Sequence, residues 1–172
     1  MSYISTGVEY ALHCLIHLTR SRDFSVEDVS VRDLAELQGI PNEYLAKIFT
    51  KLAKADLVCA TEGIKGGFRL ARAGNRITVH DVVVAIDGEK PIFDGQEIHR
   101  RCAIFGDRVP AWAARGACAI QDVMQSTEKG MRAEMKKHTL TDLALRISAK
   151  ASPTYGTEVA QWLSDRASNR QR

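Results

Sequence analysis

The stretch VRDLAELQGIPNEYLAKIFTKLAKADLVCATEGIKGGFRLAR, residues 31–72, decides the fold. In its first eight residues Val31, Leu34, Ala35 and Leu37 recur at helical spacing behind Ser30, a residue suited to capping a helix start. Gly39 stops that helix. Ile40-Pro41-Asn42 restarts the chain, with proline at a helix start. Tyr44, Leu45, Ile48, Phe49 and Leu52 then mark an apolar face, and Lys47, Lys51 and Lys54 lie mostly on another. Two short helices around a glycine turn, the second one basic, make a helix-turn-helix pattern. Leu57–Thr61 reads as a strand, Glu62–Gly67 as a glycine-rich turn and Phe68–Ala71 as the returning strand. That hairpin, following directly on the helix pair, is a wing.

Charge follows the same boundaries. Residues 1–40 hold three Arg or Lys against six acids, whereas residues 41–76 hold seven against three, so the basic excess sits in the second helix and the wing. Basic residues on one helix face are usually a solvated face. Their coincidence with a glycine-punctuated helix pair and a basic hairpin, in this order, favours double-stranded DNA as the partner. Asn42, Glu43, Tyr44 and Lys47 are placed to enter a major groove. Lys65, Gly66, Gly67 and Arg69 are placed to let the wing approach phosphates.

Working outward, Val8, Ala11, Leu12, Leu15, Ile16 and Leu18 give a helix over Gly7–Leu18, and Thr78 caps another over Val79–Ile86. From Glu89 to Arg115 no period holds, which predicts a long loop containing Cys102. After Gly116, Ile120, Val123, Met124, Thr127, Met131 and Met135 mark the longest helix, ending near Lys137. Its apolar stripe lies beyond the winged-helix core, so it suits a homodimer interface; packing within one chain is the alternative. Thr139 or Thr141 caps a further helix, a short one is expected over Val159–Leu163, and a frayed tail from Arg166. The fold class is therefore mainly α with a small β-hairpin wing: a winged helix-turn-helix over 1–88, a loop over 89–118, and a dimerisation helix with C-terminal helices over 119–172.

With 172 residues and 45% hydrophobic content, the chain suits one compact core plus a small appended element. No apolar run approaches the roughly 18–20 residues of a membrane span, and the N-terminus lacks a signal-peptide pattern, so a cytoplasmic protein is expected. The four cysteines, Cys14, Cys59, Cys102 and Cys118, are too scattered for a disulfide framework. Cys14 follows the apolar stripe of the first helix and Cys59 sits in a strand, which makes both structural. No nucleophile, base and orienting group appear together, so no enzymatic activity is expected.

Several segments together resemble the IscR/NsrR/RsrR-type winged-helix regulators, over about residues 1–147. They are Ser5–Leu12 (STGVEYAL), Val31–Glu36 (VRDLAE), Ile40–Lys47 (IPNEYLAK), Lys65–Arg72 (KGGFRLAR), Ile77–Val83 (ITVHDVV) and Thr139–Leu143 (TLTDL). The resemblance implies a homodimer joined through the long helix, with operator contacts from the start of the chain (Ser2, Tyr3), the recognition helix and the wing.

Members of that family commonly carry three closely spaced cysteines that bind an iron-sulfur cluster. Here the loop offers only Cys102 and Cys118, with fifteen residues between them, so a three-cysteine set is excluded. The RsrR-like branch is similar in using two loop cysteines with a Glu and a His from the first helix of the other subunit. Gly7–His13 (GVEYALH) looks like that branch's motif, which implies a [2Fe-2S] cluster on Glu9, His13, Cys102 and Cys118. Glu9 and His13, four residues apart, lie one above the other on a helix face. A neutral imidazole in place of a thiolate raises a cluster's reduction potential. The alternatives are a metal-free thiol-based or metabolite-sensing repressor, with Glu9, His13, His17 and Arg20 as a plain solvent-facing stripe. His99 is a spare ligand candidate.

Overall fold

Ser30, Gly39 and Pro41 punctuate the chain as their chemistry dictates. In a computed structural model, described for residues 2–21, 28–61, 66–94, 102–114 and 118–169, the Ser30 hydroxyl accepts from the Asp33 N–H at 3.1 Å and opens α2 (Val31–Gln38). Gly39, at φ 64°, ends it: the Gly39 N–H donates to Glu36 and the Ile40 N–H to Ala35, a Schellman stop that turns Ile40 into the core. The same stop closes α3 (Asn42–Lys54), where the Asp56 N–H donates to Ala53 and the Leu57 N–H to Leu52. Asp56 takes φ 53°, a conformation that Asp tolerates better than most residues.

The element order is α1 (Thr6–Ser21), α2, α3, β1 (Val58–Ala60), β2 (Phe68–Leu70), α4 (Val79–Asp87), α5 (Ala111–Ala114), α6 (Ala119–Lys137), α7 (Leu140–Ser148) and α8 (Tyr155–Asn169). β1 and β2 pair antiparallel with Val58 opposite Leu70 and Ala60 opposite Phe68. A third segment joins them, because Val29 exchanges both backbone hydrogen bonds with Phe68.

The chain divides into two compact units, Met1–Gly88 with Met135–Arg172, and Glu89–Glu134. In the first, α1 runs through the middle and buries Val8, Ala11, Cys14, Leu15 and Leu18 against residues of α2, α3 and α4 and against Leu140 and Leu163. Each fully buried Leu or Phe contributes about 1.5–3 kcal/mol. Two capping boxes start α4 and α7: Thr78 exchanges hydrogen bonds with Asp81, and Thr139 with Asp142. Those two threonines pair with each other as an antiparallel bridge.

Three expectations are revised. α1 reaches Ser21 rather than Leu18, with the Thr19 hydroxyl bonded back to the Leu15 carbonyl. The expected loop over 89–115 carries a 3-10 turn at Ala103–Phe105 and the single turn α5. The short helix over Val159–Leu163 is fifteen residues long, Tyr155–Asn169, and absorbs the start of the expected frayed tail. Arg166 lies over the Trp162 ring at 4.4 Å and forms a two-pronged pair with Glu36 of α2, so its charge is engaged.

Candidate nucleic-acid interface and cysteine loop

Leu45, Ile48, Phe49 and Leu52 seat α3 in the core, which leaves Asn42, Glu43, Tyr44 and Lys47 exposed at its start. Aromatic contacts fix the neighbours of that helix. Tyr44 meets Tyr10 of α1 edge-on at 5.9 Å, and Phe49 meets Phe68 of β2 at 4.9 Å. The strand carrying the exposed Arg69 is thereby tied to the helix carrying Lys47. Ser2 and Tyr3 are exposed, and the Ser5 N–H and hydroxyl donate to the Asp87 carboxylate at 2.8 and 2.6 Å, which fixes the start of the chain on the end of α4.

Not every basic residue is available to DNA. Lys51 donates to the Ile86 carbonyl at 2.7 Å and so caps the C-terminus of α4. Arg72 lies 3.5 Å from Asp81. Gly66 and Gly67 are half-buried, and a Cβ on Gly67 would stand 2.7 Å from the Val29 backbone carbon and oxygen. The close approach of Val29 therefore requires this glycine. Lys65 lies outside the described residues. The roles of Lys51, Ser5 and Val29 carry no sequence signal, because each partner is at least 35 residues away.

Glu9 and His13 are both exposed on α1, one turn apart, and line one groove of about 540 Å³ with apolar walls from α1, α4 and α7, including Leu12, Val79, Val83 and Leu143. The stripe they begin does not continue into solvent: His17 is 5% exposed and contacts the Gln38 side-chain amide of α2.

In the second unit Cys102 is exposed at the start of the 3-10 turn, where its carbonyl accepts from the Phe105 N–H. Phe105 and Trp112 stack edge-on at 5.6 Å. Cys118 is half-buried at the head of α6 and its carbonyl accepts from the Asp122 N–H. Glu128 and Arg132 form an ion pair at 2.7 Å on α6 and hold residues 89–92: Arg132 donates to the Lys90 carbonyl, and Glu128 accepts from the Ile92 N–H at 3.0 Å. That backbone bond, and then Arg132, hold the Glu128 carboxyl below the usual carboxylate range. Cys14, by contrast, is buried in the core, and desolvation pushes its thiol up to about 12. Cys59 is half-buried on β1, with its sulfur 3.8 Å from the Arg69 carbonyl. His99 lies outside the described residues.

Among the described residues of one chain, no three His, Cys, Asp or Glu side chains are gathered to hold a metal ion. Nor is any helix among them long and apolar enough to cross a membrane.

A family profile described as "Rrf2: Iron-dependent Transcriptional regulator" matches residues 4–146. The chain belongs to the Rrf2 family. It is thus a DNA-binding transcription regulator and no enzyme. It is 33% identical over 141 residues to an HTH-type transcriptional regulator of Mycobacterium tuberculosis, covering 82% of this chain and 80% of that protein. It is 29% identical over 145 residues to the HTH-type transcriptional repressor NsrR of Streptomyces coelicolor, covering 84% and 88%. Among solved structures, CymR, titled the global cysteine regulator of B. subtilis, is similar at a TM-score of 0.65 and 21% identity over 85% of this chain and 98% of that one. The IscR of T. potens follows at 0.61 and 22%, over 88% and 91%. These likenesses place the fold, a winged helix-turn-helix, among Rrf2 regulators.

Proposed function

We propose that this Rrf2 regulator is a homodimer that binds operator DNA and senses redox state through a [2Fe-2S] cluster shared between subunits. The observation that carries the sensor is the division of donors. Glu9 and His13 are exposed a turn apart on α1, while Cys102 and Cys118, neither in a disulfide, stand on either side of α5.

Two thiols, an imidazole and a carboxylate suit the irons of a two-iron cluster. One chain alone gathers no three of them among the described residues, so the donor set fits a site completed by the partner's Glu9 and the partner's His13. When bound, the cluster would supply one-electron redox chemistry. The chain's part would be to carry Cys102 at the start of the 3-10 turn and Cys118 at the head of α6, and to present Glu9 and His13 at a groove with apolar walls.

α6 supports the dimer. None of its nineteen residues is buried, and Ile120 and Val123 are each 64% exposed, an apolar stripe awaiting a cover. On DNA, Asn42, Glu43, Tyr44 and Lys47 would read base edges, and Ser2, Tyr3, Lys65, Gly66, Gly67 and Arg69 would follow the backbone. Gly67 serves there by keeping the wing against Val29.

A second reading is a metal-free thiol-based or metabolite-sensing repressor. It is favoured by the exposure of Cys102 and by the fold's likeness to CymR, of which an oxidized Staphylococcus aureus form is among the similar structures. Iron and sulfide analysis with visible absorbance on anaerobically purified protein separates the two. The cluster reading expects colour that Cys118→Ala abolishes; colourless wild-type protein, or a cluster retained in that variant, sinks it. Ile120→Glu with Val123→Glu should leave a monomer in sedimentation. Lys65→Ala should weaken binding across DNA sequences and shallow the salt slope by about 1.

A further inference from the structure

A second groove opens in the first unit, on the side of α1 facing α8. It measures about 410 Å³ and is framed by His13, Ile16 and His17 of α1, Ile147 of α7, the link Lys150–Ser152, and Tyr155 at the start of α8. That volume lies within the range of small-molecule sites, roughly 300–1,000 Å³. Ile16, Ile147 and Ala151 make its apolar walls.

The polar groups on its rim are of one kind. Lys150 brings an ammonium, Ser152 and Tyr155 bring hydroxyls, and His13 and His17 bring imidazoles; no carboxylate lines the groove among the described residues. Lys150 forms no side-chain hydrogen bond or ion pair among the described residues, so its charge is available. Glu9, one turn above His13, lines the neighbouring groove and not this one. An apolar cleft with a cation and hydroxyl donors at its mouth, and no anion, is complementary to an apolar chain ending in a carboxylate.

Two of the helices that line it, α1 and α8, also touch α2 of the helix-turn-helix. His17 contacts Gln38 at the end of α2, and Arg166 of α8 grips Glu36 of the same helix. A molecule seated against His17 and Tyr155 therefore bears on two helices that touch α2.

We propose that this groove binds a small carboxylate with an apolar tail, and that its occupancy is transmitted to α2. The site shares His13 with the proposed cluster donors, but its carboxylate recognition rests on other residues. Lys150, Ser152 and Tyr155 take no part in that reading, and His13 is common to both grooves.

Octanoate is the probe. Titrated into the full-length protein carrying Trp112→Phe, it should change the fluorescence of Trp162 on α8 saturably. Lys150→Glu should weaken that binding at least tenfold, and Ala151→Trp, which fills the groove, should abolish it. Neither variant should alter iron and sulfide content, so failure of the cluster reading leaves this test intact. Octylamine, with the opposite charge, should bind far more weakly. Absence of saturable octanoate binding, equal binding to the Lys150→Glu variant, or equal binding of octylamine would each overturn the site. Amide resonances of Glu36 and Gln38 should shift on saturation; binding that leaves them unmoved overturns the transmission to α2.

Discussion

The two units are held together by different physics. The apolar core, from Val8 to Leu163, lies entirely in the first unit, where Phe49, Leu15, Leu34 and Leu52 are fully out of solvent. In the second, Ala113 is the one buried hydrophobic among the described residues, while Ile104 is 85% and Trp112 72% exposed. Its cohesion comes from Glu128 and Arg132 gripping residues 89–92. The contrast is between a helix-turn-helix unit closed around its own core and a cysteine loop on a polar frame that leaves its apolar side chains exposed. Such a division would suit the proposed sensor, because segments that change state are drawn from regions with few buried apolar contacts.

The largest effect should come from breaking the core. Phe49→Ala removes the ring that joins α3 to β2 and should cost about 3–5 kcal/mol in chemical denaturation. A cost below about 1 kcal/mol would mean that the wing is not seated by this contact. Next is the difference between thiols. At pH 8 a Cys14 thiol raised from 9.0 to about 12 should hold about a thousandfold less thiolate than an ordinary cysteine. In cluster-free protein, alkylation followed by mass spectrometry should mark Cys102 first and Cys14 only after unfolding. The sign follows from the raised value: the contribution of Cys14 to stability is whole below pH 9.0 and declines as pH rises toward 12.

Gly67→Ala is smaller. The Cβ would collide with the Val29 backbone, forcing the third segment off the hairpin at about 1–3 kcal/mol, read as a lowered denaturation midpoint. Smallest is Arg132→Ala, which should leave global melting unchanged while the Ile92 amide exchanges faster with solvent. Because the Glu128 carboxyl titrates below the ordinary carboxylate range, its hold on Ile92 is whole at and above pH 4.5, and is lost as pH falls through the lowered folded value. A global shift in melting would show that the second unit is coupled to the core more strongly than its few buried side chains suggest.

The helix pair was legible because each boundary is set by a local rule. Ser30 caps, Gly39 adopts a positive φ, and apolar spacing fixes which faces of α2 and α3 are buried. Thr78 was legible as a cap for the same reason, and the structure selects Thr139 over Thr141 as the cap of α7. The full length of α8 was not: its period is weak, and Arg166 reads as tail until Glu36, 130 residues away, is seen to pair with it. His17 read as one of a solvent-facing series because a helix register does not reveal that α2 lies across it. Of the residues expected at a DNA interface, Asn42, Glu43, Tyr44, Lys47 and Arg69 were placed by spacing and are exposed. The duty of Lys51 as a cap on α4 needed the third dimension.

The bridge between Thr78 and Thr139 has a mechanical meaning. Immediately after α6 ends, the His138 carbonyl and the Leu140 N–H are hydrogen-bonded to Val79 and Ile77 at 2.9 Å each. The last residues of α6 and the first of α7 are thus pinned, within the first unit, at the start of α4. The starts of α4 and α7 therefore share one clamp, and neither capping box can open without straining the other.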